Sequence, residues 1–155
     1  MSEHELERVE LTNMCAIIDE KTQKVVVQER IKSWMGISFP GGHVEKGEAL
    51  VPSTIREIKE ETGLDIRHLK LCGIKNWFEP DKNRRYMVFL YSTTDFSGEL
   101  IEETSEGKVY WEKIERLPEL NLASGFAEMA QMMLGSSYTE FSYEIKQEWW
   151  TKKFY

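Results

Sequence analysis

Residues 39–64 read FPGGHVEKGEALVPSTIREIKEETGL, and the rest of the chain is interpreted outward from them. Phe39-Pro40-Gly41-Gly42 interrupts regular structure with a proline and two glycines. Across 49–62 the pattern turns helical: Val51, Ile55, Ile58 and Thr62 recur at i, i+4, i+7 and i+11 on one face, and Gly63 follows as a helix stop. Glu57, Glu60 and Glu61 stand at i, i+3 and i+4, which places three carboxylates on one side, roughly opposite that stripe. Like charges on neighbouring turns cost helix stability. Arg56 offsets part of that cost, and a bound divalent cation would offset more. Hard oxygen donors suit Mg²⁺ or Mn²⁺, which keep several waters and accept phosphate oxygens as remaining ligands. Taken alone, the three glutamates are better explained as a solvated acidic helix face, the commonest origin of a charge run.

The whole string shifts that balance. Gly42-x5-Glu48-x7-Arg56-Glu57-Ile58-x-Glu60-Glu61-x-Gly63-Leu64 resembles the signature of the Nudix hydrolases, G-x5-E-x7-R-E-U-x-E-E-x-G-U with U aliphatic, at every fixed position and without a gap. The match spans 23 of 155 residues. The resemblance implies an α+β fold, a mixed β-sheet sandwiched between α-helices. It also implies an enzyme that hydrolyses a nucleoside diphosphate linked to a further group, with water attacking phosphorus and Mg²⁺ or Mn²⁺ as cofactor. Barriers to such reactions are electrostatic. By position, the resemblance makes Glu57, Glu60 and Glu61 the metal-binding and base-supplying carboxylates, joined by the backbone carbonyl of Gly41. Arg56 would orient Glu57 through a charge-assisted pair. Glu48 would act through metal-bound water or by pairing with Arg56, and Gly42 and Gly63 would serve the backbone. Many members of the family carry another acid in the loop before a late strand. Counted back from Trp111, that place holds Lys108; among the neighbouring Glu102, Glu103 and Glu106, Glu106 is the candidate ligand, and the general base stays open between Glu57 and this loop.

The signature fixes the reaction and not the substrate. Leu117-Pro118-Glu119-Leu120-Asn121 is similar to the segment before the base-reading asparagine of MutT-type members, so Asn121 is expected either to read a purine edge or to cap the following helix. Phe39 would pack on the base, and Arg30, among Arg30, Lys32, Arg84 and Arg85, is the expected phosphate contact. Leu11-Thr12-Asn13, Gly73-Ile74-Lys75-Asn76-Trp77 and the aromatic tail are also similar to bacterial MutT-type proteins. The expected reaction is therefore 8-oxo-dGTP to 8-oxo-dGMP and pyrophosphate, a nucleotide-pool sanitation step. Pro80 falls near a proline typical of ADP-ribose-hydrolysing members, although a turn explains it as well; ADP-ribose or another nucleoside-diphosphate derivative is the alternative substrate. A non-catalytic nucleotide-sensing module is the alternative of a different class, but such modules usually lose the carboxylates that are all present here.

Away from this stretch, 155 residues suffice for one domain, 1–155, with a core large enough to need no disulfide. Strands are expected at 11–19 and 24–31 around a polar turn, at 68–78 and 85–93 around loop 79–83, and at 108–111; a second helix is expected at 123–134, with its methionines in the core. Residues 138–155 carry seven aromatic side chains, which should pack on the domain or on a second copy in a homodimer. The count of 20 basic against 27 acidic side chains, a net charge of −7, argues against a nucleic-acid polymer or an anionic membrane as partner and leaves a small nucleotide open. Cys15 and Cys72, each within an apolar run, read as buried free thiols. With no apolar leader at its start and no long apolar run, the chain is expected to be cytoplasmic.

Overall fold

In the computed structural model, which describes residues 3–146 and 148–155, β1 (Val9–Asp19) has apolar side chains on both faces. Met14 and Ala16 join one core cluster, while Cys15 and Ile17 join another. β2 (Lys24–Arg30) does the same, with Val25 and Val27 on the first side and Val26 on the second. Strands that are apolar on both faces must be covered on both. The helices supply the cover: α1 (Leu50–Thr62) brings Ile58 to the second cluster, and α2 (Phe126–Met133) brings Phe126, Met129 and Met133 to the first.

The remaining elements, in chain order, are β3 (Gly36–Ser38) and β4 (Gly41–His43) before α1, then β5 (Asp65–Arg67), β6 (Lys70–Glu79), β7 (Arg84–Thr93), β8 (Asp95–Ser97), β9 (Glu103–Thr104) and β10 (Gly107–Lys113), and after α2 β11 (Glu140–Lys146) and β12 (Trp149–Phe154). The principal sheet runs β12-β11-β6-β7-β1-β2-β10-β9, with β3 added to β2 and β4 to β1. β1 lies parallel to β7 and β11 parallel to β6, while the other pairs of this sheet are antiparallel. β5 and β8 form a separate two-stranded ribbon. This is the expected α+β architecture, a mixed sheet between helices.

Three local details differ from the sequence expectation. In α1 the buried residues are Ser53, Thr54, Ile58 and Thr62, and Val51 is 39% exposed. Hydroxyls bury here because Ser53 and Thr54 both donate to the Leu50 carbonyl, and Thr62 donates to that of Ile58. α2 begins at Phe126 and not at residue 123, because Gly125 takes a left-handed φ of 76° and residues 121–123 instead bond to β3. Cys72 is only partly buried, whereas Cys15 is fully so.

The aromatic tail packs on the chain itself. β11 extends the sheet beside β6, and Phe141 is wholly buried with its ring stacked on Phe154 at 4.8 Å. Tyr138, Trp149, Trp150 and Tyr155 stay exposed. No helix among the described residues is long and apolar enough to cross a membrane.

If the hairpin is part of the cooperative fold, Phe141→Ala will lower unfolding stability by about 3–5 kcal/mol, read from urea denaturation. A loss below about 1 kcal/mol would show that β11 and β12 are an independent appendage.

Candidate functional site

A cleft of about 1060 Å³ runs along the principal sheet. One end is lined by Glu57, Glu60 and Glu61 of α1, by Gly41 and Gly42 of β4, and by Glu106 from the loop between β9 and β10. Arg30, the last residue of β2, also lines it. The other end is aromatic, with Trp34, Trp77 and Tyr143 around Lys75 and Trp150 edge-on to Tyr143.

Arg56 organises the carboxylate end. Its Nε and Nη2 donate to the two oxygens of Glu48 at 2.8 and 2.9 Å, a bidentate pair. Nη1 donates to Glu57 at 3.1 Å and to Glu60 at 3.3 Å, and Nη2 also donates to the His43 carbonyl at 3.1 Å. The hydrogen bonds from Arg56 hold the Glu48 carboxyl down to about 2, and those to Glu48 in turn raise the guanidinium further above its usual range.

The backbone of β4 is threaded close to these groups. A Cβ on Gly41 would overlap the Asn13 carbonyl, so that position has no room for a side chain, and one on Gly42 would push the Glu57 carboxylate from its place. The Gly41 amide donates to Glu61 Oε2 at 3.1 Å and the Gly42 amide to Asn13 Oδ1 at 3.0 Å. Buried Asn13 donates in turn to Ser53 Oγ at 3.1 Å, tying β1, β4 and α1 together. Its role here was not read from the sequence; the one available signal was an amide inside the apolar run of β1.

Glu61 lies beyond the reach of Arg56. Burial raises its pKa to about 7; the Gly41 amide and the charge of Arg30 oppose the rise, while Glu57 and Glu106 add to it. Among the described residues no three His, Cys, Asp or Glu side chains are drawn into ligand positions. The donor set nevertheless fits a divalent cation: it is all hard oxygen, and at Glu61 it carries more negative charge than Arg56 and Arg30 neutralise.

The other candidates fall in different places. Phe39 is wholly buried, edge-on to Phe126 at 4.7 Å beneath the cleft. Asn121 is exposed and does not line the cleft, and it does not cap α2, whose cap position is Gly125. Its backbone carbonyl accepts from the Ile37 amide at 2.8 Å. Lys32 pairs with Glu106 at 3.5 Å, Arg84 with Glu79 and Glu10, and Arg85 with Glu7. Pro80 opens the 3-10 turn Pro80–Lys82, away from the cleft. Trp77 is stacked on Tyr86 at 4.7 Å. Lys75, a lone lysine in a strand with no functional signal in the sequence, also lines the cleft; burial lowers its pKa to about 8.

Comparison with known proteins agrees with this geometry. Residues 10–133 match the NUDIX domain family. The chain is 30% identical over 132 residues to the uncharacterized Nudix hydrolase YvcI of Bacillus subtilis, covering 83% of this chain and 80% of that protein. It is 30% identical over 95 residues to an 8-oxo-dGTP diphosphatase of Proteus vulgaris, covering 60% of this chain and 83% of that one. Among solved structures, a MutT protein from Bacillus halodurans superposes with a TM-score of 0.76 at 25% identity, covering 94% of this chain and 97% of that chain.

The raised pKa of Glu61 has a stability consequence in metal-free protein. Its folded pKa of about 7 exceeds the usual 4.5, so its contribution is full below about pH 4.5 and is lost as pH rises through 7. In chelator, the wild type should lose roughly 2 kcal/mol of stability from this group between pH 5 and 8, whereas Glu61→Gln should lose none of it. Urea unfolding at both pH values checks this, and an identical pH slope in the two proteins would refute it.

Proposed function

Because the chain belongs to the Nudix family, we propose that it is a Mg²⁺-dependent pyrophosphohydrolase of nucleoside triphosphates that acts on 8-oxo-dGTP, releasing 8-oxo-dGMP and pyrophosphate. The observation that carries this reading is a single cleft with a carboxylate cluster, Glu57, Glu60, Glu61 and Glu106, at one end and an aromatic chamber at the other. The first suits a metal-bridged polyphosphate and the second a planar base. The name of the Proteus vulgaris relative supports the choice of substrate. Residues 1–155 are taken to act as one unit, since β11 and β12 contribute Tyr143, Trp150 and Lys152 to the cleft wall.

Glu57, Glu60 and Glu61 would hold the metal, with the backbone of Gly41 beside them. When bound, a divalent ion supplies positive charge to the phosphate oxygens and lowers the pKa of a coordinated water. Arg56 fixes Glu57 and Glu60 by hydrogen bonds, and Glu48 holds Arg56 in place from the other side. Arg30 is the cleft cation that faces Glu61, well placed to take a phosphate oxygen. Gly42, lacking a Cβ, lets the Glu57 carboxylate sit against the backbone.

A panel of 8-oxo-dGTP, unmodified nucleoside triphosphates, ADP-ribose and dinucleoside polyphosphates, assayed with Mg²⁺, tests the proposal. The expected outcome is a kcat/KM for 8-oxo-dGTP at least about 10-fold above the others. Preference for ADP-ribose would reject the substrate and keep the hydrolase. In the same assay Glu60→Gln should cut kcat by about 10²-fold or more with an unchanged unfolding curve; full activity would remove Glu60 from the metal site.

A further inference from the structure

Lys75, on β6, is only 4% exposed, yet it lines the cleft. Its Nζ lies 5.0 Å from the ring centroid of Tyr143, 5.2 Å from Trp77, 5.5 Å from Phe141 and 5.6 Å from Trp34. Among the described residues it makes neither a hydrogen bond nor an ion pair. Glu128 is close enough to act on its charge, but that carboxylate is already paired with Lys152 at 2.6 Å. Aromatic faces offset part of the desolvation of an ammonium, but they do not use its N–H donors as a hydrogen-bond acceptor would. A buried cation with donors to spare, at the edge of a cavity, is a group built to meet an acceptor that arrives from outside.

Trp34 shows where that acceptor would lie. It has a φ of 48°, a left-handed conformation that is costly for a tryptophan. Its indole N–H donates to the Ser124 carbonyl at 2.7 Å, which bridges the loop after β2 to the segment before α2. The ring is 5.5 Å from the Arg30 guanidinium and 5.6 Å from Lys75 Nζ, so it is shared by the cation near the carboxylates and the cation in the chamber. A nucleotide with its phosphates toward Glu61 and Arg30 would extend its base past Trp34 to Lys75.

We infer that Lys75 is the base-reading residue of this cleft, donating a hydrogen bond to a ring carbonyl of a keto nucleobase held between Trp34 and Trp77. The inference rests on the nucleotide-hydrolase reading above and deepens it. Lysine carries only donors, so an oxo group is matched, whereas an amino group at the same place sets donor against donor. With water displaced by the bound base, both would then stay unpaired, and this kind of mismatch discriminates far more strongly than shape alone. Guanine and 8-oxoguanine both carry the oxo group at the six-position, and adenine carries an amine.

Deoxyinosine and deoxyadenosine nucleotides differ at this six-position, oxo against amino, and form the test pair. Binding of dIMP and dAMP with Mg²⁺ is measured by quenching of intrinsic tryptophan fluorescence, with no turnover required. Wild type should bind dIMP at least about 10-fold more tightly than dAMP. In Lys75→Met, which keeps the length and apolar stem, that ratio should fall to near one through weaker dIMP binding. A wild-type ratio near one overturns the assignment without reference to any variant, and so does an unchanged ratio in a folded Lys75→Met protein. Base discrimination without hydrolysis of dITP or any other triphosphate would refute the triphosphate-hydrolase reading and leave the role of Lys75 standing. Hydrolysis without base discrimination would do the reverse.

Discussion

The Arg56 guanidinium donates at once to Glu48, Glu57, Glu60 and the His43 carbonyl, and these contacts link α1 to β4 and to the loop between them. Without them, carboxylates on neighbouring turns of one helix would repel. With them, Glu48, Glu57 and Glu60 are gathered round one cation. Lysine could not replace this residue, because the arrangement uses the planar fork and several donors simultaneously. The same contacts explain why Glu61 differs. It lies outside the guanidinium's reach, and burial first, then the charges of Glu57 and Glu106, raises its pKa without a guanidinium to offset them. A site that balanced every charge internally would have less attraction left for a divalent cation.

The residues that the sequence groups without any family likeness are those whose relation is local. Glu57, Glu60 and Glu61 share a side of one helix, and helical periodicity alone brings them together; the structure also places Gly41 and Gly42 against them, where a Cβ would collide. The apolar stripe was less well read, because hydropathy ranks Val51 above Thr54, whereas the buried position went to the hydroxyl that could bond back to Leu50. Asn121 was read from a segment likeness, but its position depends on the pairing of residues 121–123 with β3, which no local pattern reports. Lys75, Trp34 and Tyr143 lie on β6, on the loop after β2 and on β11, and they meet only through the order of strands in the sheet. An isolated lysine in a strand carries no signal that four aromatic rings will surround it.

The net charge of −7 is a poor guide to this cleft, because its charge is arranged in two ends. Acid dominates where Glu57, Glu60, Glu61 and Glu106 converge, and cations, Lys75 and Lys152, line the aromatic end, with Arg30 between. Polyphosphate and base make opposite demands, one for metal charge and the other for flat apolar walls with a few aimed donors. Such a division lets each end be tuned without disturbing the other.

The division also follows the chain. The family match ends at residue 133, and it contains all four carboxylates together with Arg30 and Lys75. Tyr143, Trp150 and Lys152, which complete the aromatic end, come from β11 and β12, beyond that match. Their position depends on parallel pairing of β11 with β6, the strand that carries Lys75, and on the burial of Phe141 beneath them. The environment that Trp34 and Trp77 begin around Lys75 is therefore completed by a segment at the edge of the sheet, far in sequence from the carboxylates. If Lys75 reads the base as proposed, changes in that hairpin would alter which base is accepted, while the Arg56 network that organises the carboxylate end stayed as it is.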